Sequence, residues 1–204
     1  MAPPSERRRS ERGAAVVEAA IITPLFLLLL FGIFEFGLAF KSSITISNAA
    51  QQGAREAGIQ GALPESDYLI LRSVQHGLGG MDLRNLDYVV VFRADGPNGT
   101  MPAECATSSQ TLTASGSVAC NRYTAADFYA EIDDPSTGSN TGNFRCGPGS
   151  VDRYWCPADR QDQIGNTDYV GVVVKAKHKY LTGMIGSDID LESSTIARLE
   201  PGRT

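Results

Sequence analysis

From Ala19 to Phe34 the chain runs sixteen residues without a charge, AAIITPLFLLLLFGIF. Extended to Phe40 the stretch reaches 22 residues, with Glu35 as its one charge. At about 1.5 Å per residue a helix of that length covers ~33 Å, close to the ~30 Å hydrocarbon core of a bilayer. A helix buried in a soluble domain keeps a polar face, and Leu25 to Phe31 has none. The pattern predicts a membrane-spanning helix, bent or locally loosened at Pro24, which removes a backbone hydrogen bond. A secretory signal that is removed has a shorter apolar run ending in a small-x-small site. The exit here, GLAFKSS, offers no convincing one, so the helix is expected to be retained.

Beyond the apolar run the periodicity changes several times. Ser42-Ser43-Ile44-Thr45-Ile46 alternates weakly like a strand, but Asn48 to Gly61 restores helical spacing. The helix is therefore expected to continue past Lys41. Ala50, Ala54, Ala57 and Gly61 form a ridge of small residues that suits close helix packing, against sister helices or against the protein's own outer domain. Pro64 stops this element. Ser66-Asp67 reads as the start of a second helix with Tyr68, Leu71, Val74 and Leu78 on one face, ended by Gly77, Gly79 and Gly80. Asp87 to Arg93 is rich in β-formers and bounded by the turn Asp95 to Gly99, which predicts a strand. Tyr169 to Tyr180 predicts another, with Val172, Val174, Ala176, His178 and Tyr180 inward and Lys175, Lys177 and Lys179 toward water. Asp188 to Leu199 supplies a last strand. The fold class expected is α+β: a long transmembrane helix, then a small antiparallel sheet with helices and a disulfide-bonded loop region.

Composition narrows the chemistry. The chain has 204 residues and a net charge of −5, from 18 Lys+Arg against 23 Asp+Glu, with no basic run after the first dozen residues. That disfavours nucleic acid as a partner. Arg7, Arg8, Arg9 and Arg12 precede the apolar run, and the positive-inside rule keeps that end cytoplasmic and places everything after Lys41 outside. Cys105, Cys120, Cys146 and Cys156 all lie in the Gly-, Ser-, Thr- and Asn-rich stretch 95–168. An even count in an extracytoplasmic segment reads as two disulfides. Of three possible connectivities the local one, Cys105–Cys120 with Cys146–Cys156, is expected. Zinc is disfavoured, because gaps of 15, 26 and 10 residues include no C-x-x-C. Asp133, Asp134, Ser136, Asn140 and Asn143 form an oxygen-rich run that fails the EF-hand spacing. Asp188, Asp190 and Glu192 share a face of the last strand, read as exposed. Tyr154 and Trp155 are expected to cover a disulfide or to join a contact surface. His76 and His178 stand about a hundred residues apart, and His178 reads as a packed side chain, not a ligand. No nucleophile–base pair, phosphate loop or paired-carboxylate site emerges, so neither catalysis nor a cofactor or metal is expected.

The junction residues are Arg12-Gly13-Ala14-Ala15-Val16-Val17-Glu18-Ala19-Ala20. A cut after Gly13 makes Ala14 the first residue of the processed chain and Glu18 the fifth. Such an arrangement of short basic leader, Gly, apolar helix and Glu resembles type IV prepilin-like proteins. RGAAVVEAAIITPLFLLLLFGIFEFGLAF with NAAQQGAREAG, and VVVKAKHKYLTGMIGSDIDLESSTIARLEP near the end, resembles the TadE-like family of the tight-adherence pilus system. One departure is Ala19, where processed members often carry an aromatic residue. The resemblance implies a pseudopilin cleaved by a membrane prepilin peptidase, with other pseudopilins and the major pilin as partners. It divides the chain into a basic leader (1–13), a transmembrane helix with its extension (14–61), and an extracytoplasmic α+β domain (62–204) carrying a Cys-containing insertion (95–168).

Two carboxylates stand out within the apolar helix. A charge there costs ~2.5–3.5 kcal/mol on insertion scales, so Glu18 calls for a partner. The Ala14 amine freed by cleavage lies four residues earlier on the same face, in its own chain or in a neighbouring subunit. Alternatively Glu18 sits solvated among the cytoplasmic headgroups. Glu35 either pairs with another subunit's helix, or reaches outward to the interface or is protonated. Two further readings compete with a pilus assembly role: a single-pass surface adhesion protein whose outer loop recognises a ligand, and an anchored hydrolase.

Overall fold

The computed structural model describes residues 4–107, 119–131, 143–183 and 186–201, with the backbone alone at 4–12 and 129–131. The arginines at 7, 8, 9 and 12 lie outside the described side chains, and Asp133, Asp134, Ser136 and Asn140 outside the described residues.

Helix α1, Pro4–Gln60, is one uninterrupted helix of 57 residues that runs through Pro24 and through the weakly alternating Ser42–Ile46. At about 1.5 Å per residue it is ~85 Å long. Its two halves have opposite surroundings. Val16, Ile21, Leu25 and Ile33 are each more than 60% exposed, whereas Ile46, Ala49, Ala50, Ala54 and Ala57 are buried. The small-residue ridge thus packs on the protein's own globular part, against α2 (Ser66–Leu78) and the sheet.

The close approach of α1 and α2 depends on glycine. A Cβ on Gly77 would stand 2.5 Å from Cα of Ala49, and one on Gly53 would stand 2.6 Å from Val74. Gly77 therefore lies inside α2 instead of ending it, and Gly79 makes the left-handed cap at φ 59°.

Four antiparallel strands follow in the order β2-β1-β5-β6: β1 Leu86–Ala94, β2 Cys120–Thr124, β5 Tyr169–Lys179 and β6 Asp188–Arg198. The short hairpin β3 (Asp162–Gln163) and β4 (Asn166–Thr167) lies apart from this sheet. Val89 and Val91 of β1, with Val172, Val174 and Ala176 of β5, face the helices and form the main core. Tyr88, Val90, Phe92 and Val173 cover the opposite face with Cys105 and Cys120. Strand β2 and helix α3 (Ala125–Glu131) arise within 95–168, where the sequence shows little periodicity. Lys175, expected in water, is half-buried, its ammonium 5.7 Å from the Tyr88 ring centre and 3.6 Å from Asp190.

Candidate functional site

The junction Gly13-Ala14 lies inside α1, and Gly13, Ala14 and Glu18 are all exposed. Glu18 forms no hydrogen bond or ion pair among the described residues. Helical spacing puts Ala14 and Glu18 one turn apart on one face, as a processed N-terminus would require for pairing. The side chains that follow are apolar around the whole circumference and unburied to Phe34. This helix is long and apolar enough to cross a membrane, with a mean hydropathy of 2.4 in its most apolar window, and is a candidate membrane anchor.

Glu35 breaks the pattern. Between Phe34 and Phe36, both over 60% exposed, its own exposure is 1%. The loop joining β5 to β6 reaches back to the helix at this point. Leu181 N–H donates to the Glu35 carboxylate at 3.0 Å, Thr182 N–H donates at 2.5 Å, and the Thr182 hydroxyl donates at 2.7 Å. Within the chain Glu35 is thus bonded by its own hairpin, a partner that neither reading of the sequence named. Lower down, Ser42 and His178 Nδ1 are 2.9 Å apart, and His178 packs edge-to-face on Tyr180. The helix and the hairpin are therefore joined at Glu35 and again at Ser42.

The N-terminal segment is TadE-like. Residues 13–55 match the family model described as TadE-like protein, which takes in the junction, the apolar helix and most of its buried extension. The similarity noted at residues 169–201 lies beyond that match. No curated protein and no solved structure matches the chain.

The TadE-like segment stands on a head braced by a polar cluster that the sequence did not reveal. Asp67, at the first turn of α2, is fully buried and bonds Arg160 at 2.5 Å. Its other oxygen accepts from Asn121 Nδ2 at 2.8 Å and from the Tyr123 hydroxyl at 2.6 Å. Asn121 Oδ1 accepts the N–H groups of Tyr154 and Trp155, while its amide donates to the Trp155 carbonyl. Trp155 covers the Arg160 guanidinium at 4.3 Å. Burial, with the Asp67 charge beside it, pushes the Tyr123 phenol well above its usual range.

Four ionisable or amide side chains thus fasten the start of α2, β2 and the loop 150–160 to one another. The signal available in the sequence was Asn121 and Tyr123 alternating with Cys120 and Arg122, a five-residue strand pattern too short to register. Asp67 reads as an ordinary helix-start residue.

Cys105 pairs with Cys120 and Cys146 with Cys156, their Cα atoms 6.1 and 5.4 Å apart. The first ties the loop after β1 to β2; the second closes the loop around Asp152. Asp152 is buried, with one oxygen accepting from Cys146 N–H at 3.0 Å and the other without a partner among the described residues. Burial raises its pKa from 3.8 to about 6. Asp190 sits near Lys175 and Lys177, and Glu192 accepts from the Tyr88 hydroxyl at 3.3 Å, so these two acids serve the sheet. Among the described residues no group of three or more His, Cys, Asp and Glu is placed to hold a metal.

Proposed function

We propose that this protein is a minor pseudopilin that acts in assembling or priming a tight-adherence pilus. Its arginine-bearing end lies in the cytoplasm and its disulfide-bonded head outside the membrane. The TadE-like match at residues 13–55 carries this reading, because it spans Gly13, Ala14, Glu18 and the apolar helix together. The four leader arginines support the orientation, and the cysteines, all disulfide-bonded, are consistent with an oxidising compartment. In this reading a prepilin peptidase cuts after Gly13, and the exposed apolar face of α1 meets other pseudopilins and the major pilin in the bilayer. The new Ala14 amine neutralises Glu18, in its own chain or a neighbour's, and removes the cost of a lone buried charge.

Cleavage takes away four arginines and two glutamates, so the processed chain carries −7 in place of −5. N-terminal sequencing of membrane-extracted protein is expected to begin at Ala14; an intact Met1, or a start beyond Phe40, would count against processing. Deleting the gene should abolish pili. Normal pilus numbers with lost surface attachment would favour an adhesion protein instead.

A further inference from the structure

The loop between β5 and β6 is tethered to α1 at one level, residue 35, by the hydrogen bonds that Leu181 and Thr182 donate to Glu35. With the processed N-terminus Ala14 at the cytoplasmic boundary, as proposed above, Ala14 to Phe34 supplies 21 residues, ~31 Å at 1.5 Å each, which matches the hydrocarbon core. The tether therefore holds the hairpin tip at the height where the acyl chains end. The tip is built for that height. Leu181 is 82% exposed, a state without benefit for a leucine in water. The sequence between Lys179 and Asp188 carries no charge, whereas the strands on either side are charged at Lys177, Lys179, Asp188 and Asp190. At the same level of the helix Phe36 and Phe40 are about 70% exposed, so apolar surface is presented by the helix as well as by the hairpin tip.

We infer that the β5–β6 tip is a second membrane contact: Leu181 enters the bilayer boundary and, with α1, fixes the tilt of the head on the membrane. This rests on the reading of α1 as a spanning helix. Two contacts, the helix and a loop fastened to it through Glu35, prevent the head from leaning freely, and they orient the sheet for whatever it meets along the surface.

The test uses the full-length chain in liposomes. All described cysteines are paired, so one added cysteine supplies the site for an environment-sensitive dye. Three variants are compared with lipids carrying a quencher high on the acyl chain: Leu181→Cys, Leu27→Cys in the apolar helix, and Asn98→Cys, exposed at the opposite end of the sheet. Leu181 being exposed, its replacement leaves the fold intact. The Leu181 dye is expected to be blue-shifted and quenched about twofold or more beyond the Asn98 dye. Quenching at Leu27 without quenching at Leu181 overturns this inference alone, while failure at Leu27 overturns the spanning helix as well. A Leu181 dye shielded from water yet untouched by the lipid quencher means a protein contact, such as a second copy, and also overturns it.

Discussion

Asp152 is a carboxylate whose ionisation works against the fold. Its pKa is raised to about 6, against 3.8 for the ordinary group. Between those values the folded chain holds a proton that the unfolded chain has lost, so stability falls as pH rises through that window and stays low above it. The shift corresponds to about 3 kcal/mol at most, and relaxation around the site leaves roughly 1–2. Asp152→Asn keeps an acceptor for Cys146 N–H and is expected to gain that amount at pH 7.5 and little near pH 4. Denaturant titration of the oxidised protein in detergent at both pH values measures it, and a gain equal at both would refute the assignment. Glu35 serves the fold as an acceptor of three hydrogen bonds. Glu35→Ala leaves two backbone donors unpaired, a cost of about 2 kcal/mol. Amide exchange at Leu181 and Thr182 should accelerate roughly tenfold or more, with the centre of the sheet unchanged. Neither role could be read from sequence: Asp152 owes its state to burial in the fold around its own Cys146–Cys156 loop, and Glu35 to residues almost 150 positions away.

Between elements, the tightest demand is where α1 crosses α2. Replacing glycine by alanine within a helix ordinarily gains about 1 kcal/mol. At Gly77 the added methyl would stand 2.5 Å from the Ala49 backbone, which has no rotamer by which to yield. Gly77→Ala is therefore expected to lose about 1–3 kcal/mol, whereas Gly37→Ala, with nothing within 4 Å, should not. Thermal melts of the two variants side by side check the contrast. The same crossing shows what the sequence could convey. The 3.6-residue spacing of Ala50, Ala54 and Ala57 disclosed a packing face but not its partner, and Gly77 looked like a stop because small size is also what helix ends use. The long strands β1, β5 and β6, of nine to eleven residues, were legible, β1 from its run of β-formers bounded by a turn and β5 from the lysines at 175, 177 and 179 that alternate with other residues. Strand β2 was not, because five residues are too few and two of its inward positions are the polar Asn121 and Tyr123, whose partners lie on other elements.

At the scale of the whole molecule, the two halves of one helix have different surroundings. Its first half is apolar on every side, and its second half contributes Ile46, Ala49, Ala50, Ala54 and Ala57 to the core of the head. Head and anchor consequently do not divide where the apolar run ends in the sequence, nor where the helix ends at Gln60. A chain beginning at Lys41 loses the exposed apolar length and the Glu35 tether but keeps Ser42 against His178 and every core residue of α1. It is expected to be monomeric without detergent and to unfold cooperatively. A chain beginning at Ala62 uncovers Ile70, Val74 and Val172, each of which is fully buried beneath α1 or beside it. Uncovering a core side chain costs about 1.5–3 kcal/mol each, so these three alone cost roughly 5–9 kcal/mol, comparable with the 5–15 kcal/mol by which a domain of this size is stable. That shorter chain should aggregate or melt without a transition. Circular dichroism and sedimentation of the two oxidised fragments decide the matter: cooperative melting of the fragment from Ala62 would mean that the buried half of α1 is a mere stalk, and aggregation of the fragment from Lys41 would mean that the head needs the membrane to fold.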